Sequence, residues 1–522
     1  MKEVKLYDTT LRDGAQTEGI SFSVEDKVKI TKKLDEFGIH YIEGGWPGSN
    51  PKDREFFNQM KKVKLKNSQL TGFGSTRRAN MQAEQDENLK NLVAAGTKIV
   101  TIFGKSWDFH VIHALKTTLQ ENLKMISDSV EFLKSKEKEV FYDAEHFFDA
   151  YKDNPAYALK TLLAAQDAGA DAIILCDTNG GTITSEVRRI VFEVRPKVKT
   201  VLGIHTHNDL GLAIANSLVA LESGCSQVQG TFNGLGERCG NADICTIIAI
   251  LKTKMKIDCV NDKQLKSLTE ASYCISEISN VKHQDNQPFV GYSAFAHKGG
   301  VHIDAMLKNP KTYEHIDPHR VGNKRRILVS ELAGKTPLVL KAHEMDIDLN
   351  KKSPQAKKIL NMLQDLEHQG YQFEAADASF ELFMKRALKK YKPFFDLDSF
   401  KVVVEKRPDN KIISEATIRL RVNKQNRLTV ADGDGPVNAL DNALRKGLNE
   451  FYPQLATMHL SDFKVRVLDQ AAGTAARVRV LIESQDADDS WVTVGVHENI
   501  IEASWRALTD SVEYKLLKDK SQ

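Results

Sequence analysis

The strongest constraint on the fold is an alternation that runs to about residue 235, in which a short β-branched or aromatic run is followed each time by an amphipathic stretch. Eight such runs begin at Val4-Lys5-Leu6-Tyr7, His40-Tyr41-Ile42-Glu43, Gln69-Leu70-Thr71, Lys98-Ile99-Val100, Glu139-Val140-Phe141-Tyr142, Ala172-Ile173-Ile174-Leu175, Thr200-Val201-Leu202 and Gln227-Val228-Gln229. The stretch after Ser23 reads as a helix with Ser23 at its N-cap and Asp26 at the acidic third position. Eight strands with intervening helices over about 230 residues is the arithmetic of a (β/α)8 barrel, because each parallel strand needs a crossover of a dozen or more residues. A doubly wound open sheet is the competing architecture. The polar residues favour the barrel: Asp8, Arg12 and Asp13 follow the first run, Glu43 ends the second, Glu145 follows the fifth, Asp177 and Thr178 the sixth, His205 and His207 the seventh, and Asn233 the eighth. A barrel builds its catalytic face from strand C-terminal ends.

The remainder of the 522 residues cannot belong to the same core. From Leu251 to about Tyr391 the spacing is mostly helical, as in Lys357 to Leu366. Past the basic joint Lys385–Pro393 the period changes to two, in Phe400–Val404 and Ala416–Val422; a Gly433-Asp434-Gly435-Pro436 turn then leads into a helix. Three more strand-like runs and a final helix from Ile500 follow, so this end reads as a small α+β module with two loosely repeated halves. The expected division is a barrel over 1–255, a helical accessory subdomain over 256–391 and an α+β regulatory, dimerising domain over 392–522.

Composition excludes several function classes. Lys+Arg 73 against Asp+Glu 70 leaves a net charge of +3, without the basic excess expected of a nucleic-acid or membrane-surface partner. The first residues show no apolar leader and no run is long enough to span a bilayer, which predicts a cytoplasmic protein. Six cysteines without a CxxC pair predict reduced thiols and no cysteine-zinc site.

The chemistry concentrates at His205-Thr206-His207. Two imidazoles at i and i+2 on a strand point to one side, and Asp13 from the first loop adds a carboxylate. This two-His-one-carboxylate set suits Mg2+, Mn2+, Zn2+ or Fe2+ and leaves positions open for a substrate. Arg12 sits beside the proposed ligand, where it can stabilise an oxyanion. The loop Gly234-Leu235-Gly236-Glu237-Arg238-Cys239-Gly240-Asn241 lacks the Lys-Ser/Thr of a phosphate loop and follows the last strand; it reads as a tight loop presenting Glu237 and Asn241 to the site.

The run Tyr7 to Gln16, the His205-Thr206-His207-Asn208-Asp209 strand end and the loop Asn233–Ala242 together resemble the 2-isopropylmalate, homocitrate and citramalate synthase family. The resemblance covers the whole chain, with Phe295–Asp304 similar to the family's helical-subdomain motif and the part from about Lys392 similar to its allosteric dimer domain. It implies a metal-dependent barrel enzyme that joins acetyl-CoA to a 2-oxo acid. The segments Glu43–Asp53 and Tyr142–Asp149 look most like the branch whose 2-oxo acid is pyruvate; the alternative is 2-oxoisovalerate, the 2-isopropylmalate reaction. The resemblance further implies Asp13, His205 and His207 as metal ligands, with Asn241 a further ligand or a partner of one. Arg12 takes the alkoxide charge, Thr178 binds the substrate carboxylate, and Glu145 is the implied base. Glu43 either orients Arg12 or competes as the base. His302, Asp304, Asn309 and Tyr313 match the acetyl-CoA side of the site, which in the family one subunit's helical region supplies to its partner. Pyruvate over larger acids requires steric exclusion, expected from Tyr142 and Phe103. For the terminal module the resemblance implies isoleucine as effector in a homodimer, with the Gly433–Pro436 and Gly473–Ala476 turns lining the effector cleft.

Overall fold

The computed structural model describes residues 3–328, 335–344, 347, 349–350, 353–468, 473 and 475–521. Each of the eight runs is a strand: β1 (Lys5–Asp8), β2 (Tyr41–Glu43), β3 (Gln69–Ser75), β4 (Ile99–Lys105), β5 (Glu139–Glu145), β6 (Ala172–Asp177), β7 (Val201–Thr206) and β8 (Gln227–Gly230). They pair in chain order, all parallel, and β8 closes onto β1 with Tyr7 opposite Gln229. Closure removes the open-sheet alternative, because a doubly wound sheet keeps two edge strands.

Local sequence explains the helices around the barrel. Ser23 Oγ accepts from the Asp26 N–H while the Asp26 carboxylate accepts from the Ser23 N–H, the capping box its spacing predicts, and Ile30, Leu34 and Phe37 of helix Val24–Phe37 are buried. Strand alternation sorts the side chains into two layers. On β5, Val140, Tyr142 and Ala144 join the core between strands and helices, whereas Phe141 joins Tyr7, Ile99, Ala172, Ile174 and Cys176 in a separate cluster inside the barrel.

The chain forms two compact units: Met1–Phe295 with His315–Arg325, which contains the barrel, and Ala296–Glu314 with Arg326–Gln522. Within the second, helices Gly300–Lys308, Lys335–Glu344, Pro354–His368 and Asp377–Ala387 precede two three-stranded antiparallel sheets, Phe395–Lys406/Ile412–Val422/Gln425–Gly433 and His459–Val467/Val478–Gln485/Ser490–His497. Helices Pro436–Leu448 and Ile500–Ser521 follow the sheets, so the two halves do repeat. Strand Gln425–Gly433 corrects the sequence reading, which gives the first half only two strands. Its apolar Leu428 and Val430 face solvent while Thr429 turns inward to donate to the Ala443 carbonyl of the following helix, 2.8 Å, so the alternation is inverted relative to an apolar-in strand. All six cysteines are free, and among the described residues no helix is long and apolar enough to cross a membrane.

Candidate active site

At the C-terminal mouth of the barrel a cavity of ≈ 240 Å³ is lined by Arg12, Asp13, Glu145, Thr178, His205 and His207, with Trp46, Phe73 and Phe103 along one wall. The floor beneath it is a hydrogen-bonded layer. The Tyr7 hydroxyl donates to Glu43 Oε2, 2.6 Å, and lies 2.9 Å from Thr71 Oγ1 and 2.7 Å from Thr101 Oγ1. The other Glu43 oxygen accepts from Arg12 Nε at 2.6 Å, Arg12 Nη1 lies 3.2 Å from Asp13 Oδ1, and the guanidinium carbon sits 3.9 Å above the Phe73 ring. Burial opposes the charge on Arg12, but Asp13 and Glu43 outweigh it and hold the guanidinium fully charged.

Asp13, His205 and His207 are all buried, and one ligand atom from each can be chosen so that all lie within 4.8 Å of one another. His205 Nε2 is 3.3 Å from Asp13 Oδ2, while its Nδ1 meets Gln229 Oε1 at 3.0 Å and Gln229 Nε2 donates to Asp143 Oδ1 at 3.3 Å. Such a chain of partners fixes an imidazole so that its other nitrogen is free for a cation. Asp13 Oδ2 and Asn241 Oδ1 are buried without a hydrogen-bond partner, an arrangement that costs free energy unless a further donor or a cation meets them. The donor set therefore fits a divalent ion. Burial works against ionisation of Asp13, yet Arg12 and His205 bring its carboxyl well below the usual range; burial and the neighbouring His205 push His207 down to about 3, leaving it neutral and able to ligate. Burial, with Glu43 nearby, raises Asp143 to about 7.

Glu145 lines the cavity and pairs with Lys105, also from a strand end. Thr178 Oγ1 accepts from the His146 N–H at 2.9 Å, so its own proton remains free to donate. Glu43 lies below, saturated by Arg12 and Tyr7. Asp8 is structural: buried and raised to about 7 by that burial, it accepts from the Thr10 N–H and hydroxyl at 3.0 and 2.9 Å. The last loop does present Glu237 to the cavity, whereas Asn241 is absent from the cavity wall and is paired with His207 through an isolated antiparallel β-bridge of the backbone. It folds that tightly because Gly240, at φ +86°, passes where a Cβ would lie 2.0 Å from the Gly234 carbonyl oxygen.

Tyr142 is a correction. It lies on the outward side of β5 among the helix-layer residues, fully buried and absent from the cavity wall, so it cannot exclude larger substrates by contact. Phe103 does line the cavity, stacked on Phe73 with centroids 5.5 Å apart, and Trp46 stands edge-on to both at 6.0 and 5.8 Å. Trp46 and Phe73 escape the sequence reading, as do Asp143 and Arg238. Arg238 spans the loop, donating to Asp209 at 2.8 Å and to the Thr178 carbonyl at 2.8 Å, with Nη2 3.1 Å from His207 Nδ1. Asp143 was discoverable as the residue two before Glu145 on one strand face. His302, Asp304, Asn309 and Tyr313 belong to the second unit, where the His302 and Tyr313 rings stack at 4.2 Å, Asp304 pairs with Lys308 at 2.7 Å, and Asn309 Oδ1 accepts from the Lys311 N–H at 3.0 Å.

A barrel with a buried His-x-His and carboxylate at its mouth defines a class, and comparison with known proteins agrees. The HMGL-like family model matches residues 3–275, a homocitrate synthase post-HMGL domain-like model 289–370, and a LeuA allosteric (dimerisation) domain model 374–516. The chain belongs to the HMGL-like family, in its branch of citramalate and 2-isopropylmalate synthases. Among its curated relatives it is 57% identical over 521 residues to the (R)-citramalate synthase of Geobacter sulfurreducens (100% of this chain, 99% of the relative) and 54% to that of Aquifex aeolicus (100% and 99%). A probable 2-isopropylmalate synthase of Methanopyrus kandleri is 31% identical (98% and 97%).

Proposed function

We propose that the protein is an acyltransferase that condenses acetyl-CoA with pyruvate and releases (R)-citramalate and CoA. The observation that carries this reading is the buried Asp13–His205–His207 cluster beside Arg12, in a chain similar from end to end to (R)-citramalate synthases and far less similar to 2-isopropylmalate synthases. The aromatic wall of Trp46, Phe73 and Phe103 favours pyruvate over 2-oxoisovalerate on steric grounds.

A divalent cation (Mg2+, Mn2+ or Zn2+) held by Asp13, His205 and His207, with Asn241 as a further donor or a partner of one, would supply Lewis-acid polarisation of the substrate's keto oxygen. Thr178 donates its free proton to the pyruvate carboxylate. Glu145 takes a proton from the acetyl methyl group, and the resulting carbon forms the new bond to the keto carbon of pyruvate. Arg12 stabilises the charge left on the keto oxygen. Glu43, already engaged by two donors, positions Arg12. Water then cleaves the thioester C–S bond, and sulfur leaves as the CoA thiol.

His302 and Tyr313, with Asp304 and Asn309, form the acetyl-CoA side, supplied by a second copy of the chain in a homodimer. In this reading the division into a barrel over 1–255, a helical subdomain over 256–391 and a regulatory domain over 392–522 is functional, and isoleucine acts on the last. One side of its cleft is the Gly433–Pro436 turn; in the Gly473–Ala476 turn, Thr474 lies outside the described residues. The enzyme would be cytoplasmic and would open a pyruvate route to isoleucine.

The test is release of free thiol from acetyl-CoA against a panel of 2-oxo acids, with and without chelator. Pyruvate should give the highest turnover and EDTA should abolish it, with recovery on adding divalent metal. Turnover highest with 2-oxoisovalerate, or unaffected by chelation, would overturn the reading.

A further inference from the structure

The reaction proposed for the barrel needs a base twice. Glu145 takes the first proton, from the acetyl methyl group. Cleavage of the thioester needs a second acceptor, because neutral water is a poor nucleophile unless a base removes its proton as it attacks. Among the described residues four carboxylates line the cavity: Asp13, Asp143, Glu145 and Glu237. Asp13 faces His205 and belongs to the donor set for the cation. Asp143 is buried and accepts from Gln229. Glu145 lies against Lys105 and, after condensation, still carries the proton of the first step. Glu237 remains, a carboxylate to which the condensation gives no task.

The place of Glu237 is enforced by its neighbours. Its carbonyl accepts from the Gly240 N–H at 2.9 Å, closing a turn in which the next residue, Arg238, takes φ +54°. A non-glycine residue in that left-handed region is strained, and it persists only where its surroundings hold it there. What holds Arg238 is its own guanidinium: it donates to Asp209 at 2.8 and 3.0 Å and to the Thr178 carbonyl at 2.8 Å, with Nη2 3.1 Å from His207 Nδ1. The strained arginine thus ties the turn to the loops after β6 and β7, and Glu237 is carried to the cavity wall with it. The Glu237 side chain is half-exposed, and its described contact is Arg238 Nη1, 3.5 Å from Oε2, the outer limit of a hydrogen bond. Water reaches this carboxylate from solvent and finds lone pairs to donate to, whereas Asp143 is shut away from solvent.

We propose that Glu237 is a second catalytic base, the group that activates the water of the hydrolytic step; the inference rests on the acyltransferase reading above. One proton of the water passes to a Glu237 carboxylate oxygen as the water oxygen bonds to the thioester carbonyl carbon. The tetrahedral species then re-forms its carbonyl, the C–S bond breaks, and the electron pair leaves on sulfur. Sulfur takes the proton from Glu237 and departs as the CoA thiol, which returns Glu237 as a carboxylate, and the new carboxylic acid ionises to solvent. With the two proton transfers on different loops, hydrolysis proceeds without waiting for Glu145 to lose the proton it gained in the condensation.

The test is rapid-quench kinetics of the full-length chain with acetyl-CoA, pyruvate and divalent metal, following free thiol and, by mass spectrometry of the quenched mixture, the condensed thioester citramalyl-CoA. Glu237→Gln should lower thiol release by about 10²–10⁴-fold, the usual contribution of a general base, while citramalyl-CoA accumulates on the enzyme. Glu145→Gln, which stops the first proton transfer, should slow thiol release with no such accumulation. A merely structural role for Glu237 would slow both steps together and build up no intermediate. Circular dichroism identifies a variant that fails to fold, and Glu237→Asp then replaces Glu237→Gln with the same accumulation expected. Thiol release at the wild-type rate in the Glu237 variant, or slowed release without citramalyl-CoA, would overturn the proposal. A wild type that releases no thiol with pyruvate overturns the acyltransferase reading itself, and this inference with it.

Discussion

Arg12 is held from three directions, by Glu43, by Asp13 and by the face of Phe73. That geometry needs a planar fork, which lysine does not have. Arg12→Lys should therefore lower kcat by about 10²–10³-fold, the usual cost of losing an oxyanion donor, with KM for acetyl-CoA little changed in steady-state assays. A second prediction at this scale concerns stability. Burial raises the Glu513 carboxyl from 4.5 to about 7 in the second unit, so the folded chain keeps a proton that the unfolded chain has lost in that window. Its contribution is complete below about 4.5 and disappears as pH rises through 7. Denaturant unfolding between those limits should show the wild type losing up to ~3 kcal/mol that Glu513→Gln does not lose; parallel curves would refute the assignment.

At the scale of elements, the two faces of one strand do different work. On β5, Asp143 and Glu145 fall on the same side, and the cavity is lined by both; Tyr142 falls on the other, under the helices. Tyr142→Ala should destabilise the barrel by about 3–5 kcal/mol in denaturant titrations, as large aromatic truncations in cores do, while the ratio of kcat/KM for pyruvate over 2-oxoisovalerate stays within twofold. Phe103→Ala, which opens the cavity wall, should lower that ratio by about tenfold or more, since one or two methylenes are worth about 1–3 kcal/mol in a pocket. The reverse pattern would return the exclusion of larger substrates to Tyr142. The same alternation, inverted, hid strand Gln425–Gly433: its outward face carries Leu428 and Val430.

For the whole molecule, that outward face has a consequence. Val403, Leu428 and Val430 are exposed at 42%, 61% and 41% on one sheet of the C-terminal module, an unusual use of β-branched and aliphatic residues on a solvated surface. The homodimer proposed above would cover them. Leu428→Asp should shift sedimentation from dimer to monomer and lower thiol release at the same time, because the acetyl-CoA side of each site then lacks its supplier; a monomer with full activity would show that one chain completes its own site.

Sequence by itself determined the eight strands alternating with helices, the two repeated halves at the C-terminal end, and the Arg12, Asp13, His205 and His207 set, because all of these rest on short-range periodicity and on residue types whose chemistry few other roles need. It also marked Glu43 as a residue with two possible roles. Tertiary structure decided between closed barrel and open sheet through the β8–β1 pairing, and engaged Glu43 with Arg12 and Tyr7. It moved Tyr142 out of the cavity, and it brought Trp46, Phe73 and Arg238 to the cavity from three separate loops and strands. Those outcomes depend on which side chains meet across residues far apart in the chain. Periodicity fixes which face of an element a residue occupies, while only the assembled barrel fixes what that face meets.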